Sequence, residues 1–420
     1  MAADKMILAE NVMVSTDCEK TGLNNNVIVC GGSGTGKTLS FLEPCLLETF
    51  ESSVIVTVVK RRVVDQYKPM FRKRGYVVED MNFAYPERST VTFDPLKYVK
   101  SYTDIRFLAQ SIVKANPRKD RSNADPYWDE AAISLLSALI AYTMMTKRDG
   151  TFADVLDLLN ELSFTGESGQ IETTLDRKFD SLAKQDPKCF AVSCWRSFRL
   201  LPVRTAGSVF GTLNTTIDTI FSPELCRMIA RNKNVDFEKL ASSKTALFIT
   251  ASAVNPALHS FISMFYAQAF KQLFEFAEKQ PSGQLPLPVR MLYDDFAVGG
   301  RVMNCAEYMS ILREKRISMC LLIQSESQLA SMYSREDATT IINNCDTYIF
   351  FGSMDLTTAR HISERINLPL EDVLYMPVNQ VYVFRRGQKP ITAKRYDIYR
   401  DEVYQAVMKM QKRSRAIREK

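Results

Sequence analysis

Histidine is nearly absent, with His259 and His361 alone among 420 residues, and none of the nine cysteines forms a Cys-x-x-Cys pair. That argues against a metal site of the usual spacings and leaves oxidoreductase chemistry without support. An odd cysteine count with no secretory leader suits a reducing cytosol, where most thiols act as small buried hydrophobes. No weakly polar run reaches the roughly 18 to 20 residues that a membrane span requires. The longest, Ala131 to Met145, follows Asp129-Glu130 and precedes Lys147-Arg148, charges that complement the dipole of a buried helix at both ends. Internal repeats and low-complexity segments are also lacking. Neither sign of charge dominates: a net charge of +6 permits a nucleic-acid partner without arguing for one.

What remains is an ordinary globular composition, 46% hydrophobic and 24% charged, in a chain long enough for two or three domains. Its organising stretch is Asn26 to Thr38. The β-branched run Val27-Ile28-Val29 leads into Gly31-Gly32-Ser33-Gly34-Thr35-Gly36-Lys37-Thr38 and then into a helical pattern over roughly residues 37–50. The glycines let backbone N–H groups curl around a polyphosphate. Lys37 can reach the outer phosphates, Thr38 can offer a hydroxyl to Mg²⁺, and the helix adds its positive end. A Gly/Ser loop can match such a pattern by chance, but the preceding strand and following helix are the context the chemistry needs. Pro44 lacks the N–H that would bond Ser40, so it bends this helix.

Ser53 to Val59 reads as a strand buried on both faces, followed by Lys60-Arg61-Arg62 and a helix, and Gly75 to Val78 opens the next strand. This order points to a doubly wound α/β domain with ligands at the carboxyl ends of its strands. From Asp104 to Asp236 the two-residue period gives way to helical stripes, as in Phe152 to Leu162 and Ala191 to Ile220, which reads as an all-α insertion. The charged run Pro117 to Asn123 reads as a surface turn. Strands return at Lys244 to Thr250, Val289 to Tyr293, Ile317 to Ile323, Thr347 to Phe351 and Gln380 to Phe384. Helices lie between them near Ala257 to Glu278, Ala306 to Lys315 and Leu356 to Ile366. The expected division is therefore 1–103 and 237–420 for the nucleotide-binding domain and 104–236 for the helical one. The basic end, Lys409 to Lys420, reads as a solvated, frayed helix end, with a nucleic-acid contact as the alternative.

A phosphate loop needs a carboxylate to hold Mg²⁺ and a second acid to activate the attacking water. Asp294 and Asp295 end a buried apolar strand and fit these roles, Asp294 on the metal and Asp295 as base. Ring ATPases of this layout usually carry glutamate at the second position. Aspartate is one methylene shorter, which predicts slow hydrolysis. Gln324, ending another strand, can sense the terminal phosphate, and Arg313, Arg316 and Arg335 are candidates to reach across to a neighbouring subunit's phosphates.

Further stretches match one family. They are Phe93-Asp94-Pro95-Leu96, Pro126 to Ala132, Leu312 to Ser318 with Gln324, and Ile341 to Gly352 continued by Asp355, Thr358 and Ala359. With the phosphate loop and Asp294-Asp295-Phe296 they make the chain resemble the TraG/TraD-like coupling ATPases of type IV secretion and conjugation, over nearly its whole length. The resemblance implies a RecA-like P-loop NTPase domain with an inserted all-α domain, ATP and Mg²⁺ as ligands, and a hexameric ring around single-stranded DNA. It also implies recruitment of a relaxase–DNA complex to a secretion channel, with the all-α domain tied to relaxosome recognition. Three features depart from the pattern: no membrane helices, Val58-Val59-Lys60-Arg61-Arg62 where an Asp-Pro-Lys-Gly-like turn is usual, and Asp295. The expected place is cytoplasmic, at the inner face of the membrane through a missing segment or a partner. Two other readings stay open, a docking platform that barely hydrolyses ATP and a double-strand DNA pump.

Overall fold

The structure, a computed structural model, describes residues 4–115, 126–165, 172–252, 257–298 and 300–418. An antiparallel hairpin of β1 (Lys5–Ala9) and β2 (Val12–Ser15) precedes β3 (Val27–Cys30), β4 (Ser53–Val58) and β5 (Val77–Asn82). A small pair, β6 (Phe164–Thr165) and β7 (Glu172–Thr173), lies among helices. Then follow β8 (Thr245–Thr250), β9 (Val289–Tyr293), β10 (Ile317–Ile323), β11 (Thr347–Phe350), β12 (Gln380–Arg385) and β13 (Ile391–Lys394). Nine of these form one sheet in the order β13-β12-β11-β3-β10-β9-β4-β8-β5. From β11 to β5 all neighbours pair in parallel, while β12 and β13 close one edge antiparallel.

The continuous apolar strands follow from burial on both faces. Along β4, Ile55 joins the core layer that includes the helical segment, whereas Val54, Val56 and Val58 join the opposite layer with Phe41, Val63 and Phe71. Between β5 and β8 the chain runs through helices Tyr102–Ala115, Pro126–Thr146, Phe152–Glu161, Asp176–Gln185, Phe190–Arg199, Val203–Ile220 and Pro223–Ile229. The pair β6–β7 is the strand content that the helical stripes of this segment did not suggest. The stretch from Ala191 to Ile220 is two helices, because Pro202 cannot donate an intrahelical bond and starts the second as its N-cap. The run Pro117 to Asn123 lies outside the described residues. No described helix is long and apolar enough to cross a membrane.

Two charged clusters tie the layers around the first crossover. Asp80 on β5, 1% exposed, receives Arg61 through both oxygens at 2.8 and 2.6 Å and Lys68 at 2.5 Å. Glu43, fully buried after the phosphate loop, pairs with Arg62 and accepts from the Tyr67 hydroxyl at 2.9 Å. The basic run after β4 is thus partly consumed in holding the fold.

Candidate phosphate-binding site

The parallel order places the carboxyl ends of β3, β10, β9 and β4 side by side, and the loop from Gly31 to Lys37 leaves the end of β3. Both neighbouring strands pin it. Gly31 N donates to Ile323 O at 3.1 Å, and Gly32 N to Gly352 O at 2.9 Å. A Cβ on Gly31 would lie 2.7 Å from the Phe351 Cβ, so close approach of the β11 end demands glycine there. Gly36 is required for a different reason, its φ of +94°.

The expected long helix after the loop is instead a π-helical turn, Thr38–Leu42, followed by the α-helix Glu43–Leu47. Pro44 gives the cause. With no N–H at the first turn of the regular helix, the ladder widens ahead of it and Glu43 N bonds Thr38 O. Lys37, 6% exposed, donates from Nζ to Gly31 O at 2.5 Å and Gly32 O at 3.0 Å. Burial pushes its pKa down, against the pull of Asp295 and Asp294.

Two strands away, Asp294 follows β9, its N–H bonded to Thr57 O on β4 at 2.9 Å. Its Oδ2 accepts from the Thr38 hydroxyl at 2.8 Å, so the two residues expected at the metal are in direct contact. Burial, then the charge of Asp295, raises the Asp294 carboxyl to about 6, opposed by Thr38, Lys37 and Lys60. Asp295 takes the left-handed conformation, φ +53°, which aspartate tolerates better than most residues. Its Oδ1 accepts from Gln324 Nε2 at 3.4 Å across the end of β10. Lys37, Thr38, Asp294, Asp295 and Gln324 therefore meet at one sheet edge. A buried, desolvated carboxylate beside a hydroxyl suits Mg²⁺, which takes one or two protein oxygens and keeps water for the rest.

Arg313 and Arg316 lie elsewhere. Both precede β10, at the opposite end of the parallel strands, where Arg313 reaches Cys18 O at 3.4 Å and Arg316 bonds Pro286 O at 2.9 Å. Arg335 opens the helix Arg335–Asn343 and is exposed. The arginine that does touch the loop is one that sequence reasoning missed. Arg395, after β13, donates Nη1 to Thr35 O at 3.0 Å and stands over Gly36. No local motif marks it, since only closure of the antiparallel edge brings it 360 residues back to the loop.

The family described as "Type IV secretory system Conjugative DNA transfer" matches residues 2–367. The chain belongs to that family. As a member of the conjugative DNA transfer family it is similar to the type IV secretion system-coupling protein VirD4 of Bartonella henselae, 21% identical over 359 residues. That match takes in 81% of this chain and 53% of VirD4, so the chain spans about half the length of the curated relative. Among solved structures, the bacterial conjugative coupling protein TrwBdeltaN70 with sulphate superposes with a TM-score of 0.69 at 16% identity, over 94% of this chain and 90% of that one. TrwB with the non-hydrolysable ATP analogue ADPNP gives 0.69 at 14% identity and the same shares. VirB4 of Thermoanaerobacter pseudethanolicus gives 0.55 at 13%, over 94% and 96%. These likenesses show the fold, a RecA-like α/β core carrying a helical segment, which this family member builds around the loop after β3.

Proposed function

We propose that this chain is a P-loop ATPase that acts as a coupling protein, recruiting a relaxase–DNA complex and driving single-stranded DNA toward a type IV secretion channel. The observation that carries the reading is the contact of Thr38 with Asp294, beside buried Lys37 and with Gln324 on Asp295, at the carboxyl ends of β3, β9 and β10. ATP is the proposed ligand, its phosphates on residues 31–38, with Lys37 leaving the loop carbonyls to neutralise them. Mg²⁺, held by Thr38 and Asp294, would supply charge neutralisation on the phosphates. Asp295 orients and deprotonates the attacking water, and Gln324 fixes the Asp295 carboxylate. The shorter side chain makes turnover slow. TrwB has been solved with ADPNP and with ADP and Mg²⁺, which supports the same ligands here.

The sheet draws strands from both 1–103 and 237–420, which supports one nucleotide-binding domain interrupted by a helical domain at 104–236. We assign relaxosome recognition to the latter. A hexameric ring would line a pore with Lys and Arg contacts to DNA phosphates, giving salt-sensitive, sequence-independent binding. The ring would work at the inner face of the membrane with channel components.

The test is steady-state ATPase activity with and without single-stranded DNA for the unmodified chain, Lys37→Ala and Asp295→Glu. The expected result is a DNA-stimulated rate that Lys37→Ala abolishes and Asp295→Glu raises. ATP binding without turnover under any DNA condition overturns the motor and leaves a docking platform.

A further inference from the structure

Three basic residues in a row follow the end of β4, and the fold consumes two of them. Arg61 pairs with Asp80 and Arg62 with Glu43. Lys60 is left. It is exposed, and its ammonium has no ion pair or hydrogen bond among the described residues.

The place of Lys60 is fixed from two sides. β4 runs beside β9 in parallel register and Asp294 N bonds Thr57 O, so Lys60 lies just beyond the strand end next to Asp294. Lys60 also heads the helix Arg61–Lys73, whose Val63, Val64 and Phe71 share a core layer with Phe41 and Leu42 behind the phosphate loop. Glu43 joins the two segments, pairing with Arg62 and accepting from the Tyr67 hydroxyl. Lys37 thus heads one segment and Lys60 the other, on a single face of the sheet and at the edge where Thr38 meets Asp294. Burial dominates the shifts at Asp294 and Lys37, but the Lys60 charge acts on both, which sets its ammonium within electrostatic reach of the metal-side acid and of the loop lysine. Two ammonium groups at one edge repel each other, and a polyphosphate between them turns that cost into attraction.

The order β3-β10-β9-β4 puts Lys60 beyond Asp294 as counted from the loop. In the proposed reaction Asp295, at the end of β9, activates the water that attacks the terminal phosphate, so that phosphate lies on this side. We propose that Lys60 is a specificity-determining residue, whose ammonium contacts the terminal phosphate and makes the site prefer a nucleoside triphosphate to a diphosphate. The inference deepens the proposed function and rests on residues 31–38 being the phosphate site. A compact charge on a flexible stem suits a group that is present in the substrate and gone from the product.

The test is equilibrium binding to the full chain, with Mg²⁺, of ADPNP and separately of ADP. A charge-assisted bond made only to the terminal phosphate corresponds to about tenfold in affinity. Lys60→Met, which keeps the apolar stem, is therefore expected to weaken ADPNP about tenfold and leave ADP unchanged, with Lys60→Arg restoring ADPNP. Thermal unfolding without nucleotide should not move, because the ammonium holds nothing in the fold. Unchanged ADPNP affinity in Lys60→Met overturns the inference, as does an equal loss for both ligands. So does a loss of ADPNP accompanied by a lower Tm without nucleotide, which would make the residue structural. Lys37→Ala separates the two levels. If it retains both ligands, the phosphate-loop reading has failed and this inference with it. If it loses both while Lys60→Met leaves the ratio of ADPNP to ADP affinity as it was, only the role of Lys60 has failed.

Discussion

Replacing Asp294 by asparagine should stabilise the ligand-free fold while removing activity. Asp294 is 6% exposed, and its carboxyl is raised from 3.8 to about 6 by burial and by Asp295. A carboxyl that is harder to ionise when folded binds its proton more tightly in the native state. It therefore penalises folding as pH climbs from about 4 to about 6, and the penalty is complete above that. Two pH units correspond to about 3 kcal/mol. Asparagine is neutral, nearly isosteric and still accepts from the Thr38 hydroxyl, but it withdraws a counter-charge from Lys37. The net gain expected at pH 8 is therefore about 1–3 kcal/mol, a rise of a few degrees in Tm. The assay is thermal unfolding of both proteins without nucleotide or Mg²⁺ at pH 8 and at pH 4. The gap should be largest at pH 8 and close near pH 4, where both side chains are neutral. An asparagine variant less stable at pH 8, or a gap independent of pH, refutes the reasoning.

Asp80→Asn should behave in the opposite sense. Burial alone would raise this carboxyl, but Arg61 and Lys68 outweigh it and hold it below the usual range. With those cations partly solvated, the loss at pH 7 is about 2 kcal/mol, below that of a fully buried pair. It shrinks below about pH 4 as the carboxylate of the unmodified chain protonates, which urea unfolding at the two pH values will show. Gly36→Ala places a Cβ at φ +94° and 3.0 Å from Arg395 Nη1, so it should cost about 1–2 kcal/mol and weaken ATP in a titration.

Much of this architecture was legible in the sequence because its signals are local. Buried parallel strands read as uninterrupted apolar runs, which located β3, β4 and β10, and a phosphate loop is defined by adjacent glycines and one lysine. Asp294 was legible because a carboxylate at the end of a hydrophobic strand has few other reasons to be there. Proline effects were half legible. Pro44 announced an irregular helix but not that the irregularity would be a π turn, and Pro202 ended a helix that the apolar stripe alone carried through. The hairpin β1–β2 and the edge strand β13 were not read, since short edge strands have weak alternation. Arg395 could not be read at all. Its position depends on sheet order, as does the place of Arg313 and Arg316 at the far edge, and strand order is a global property that no short window carries.

The Nζ of Lys37 donates to two carbonyls of its own loop. Those carbonyls are internal competitors for any incoming phosphate, so binding at this site is an exchange of acceptors around one ammonium and not the capture of a free cation. Apparent affinity then measures the difference between two sets of contacts. Run backwards, the same exchange returns the Lys37 ammonium to those two carbonyls as a phosphate leaves, so it has acceptors in both states.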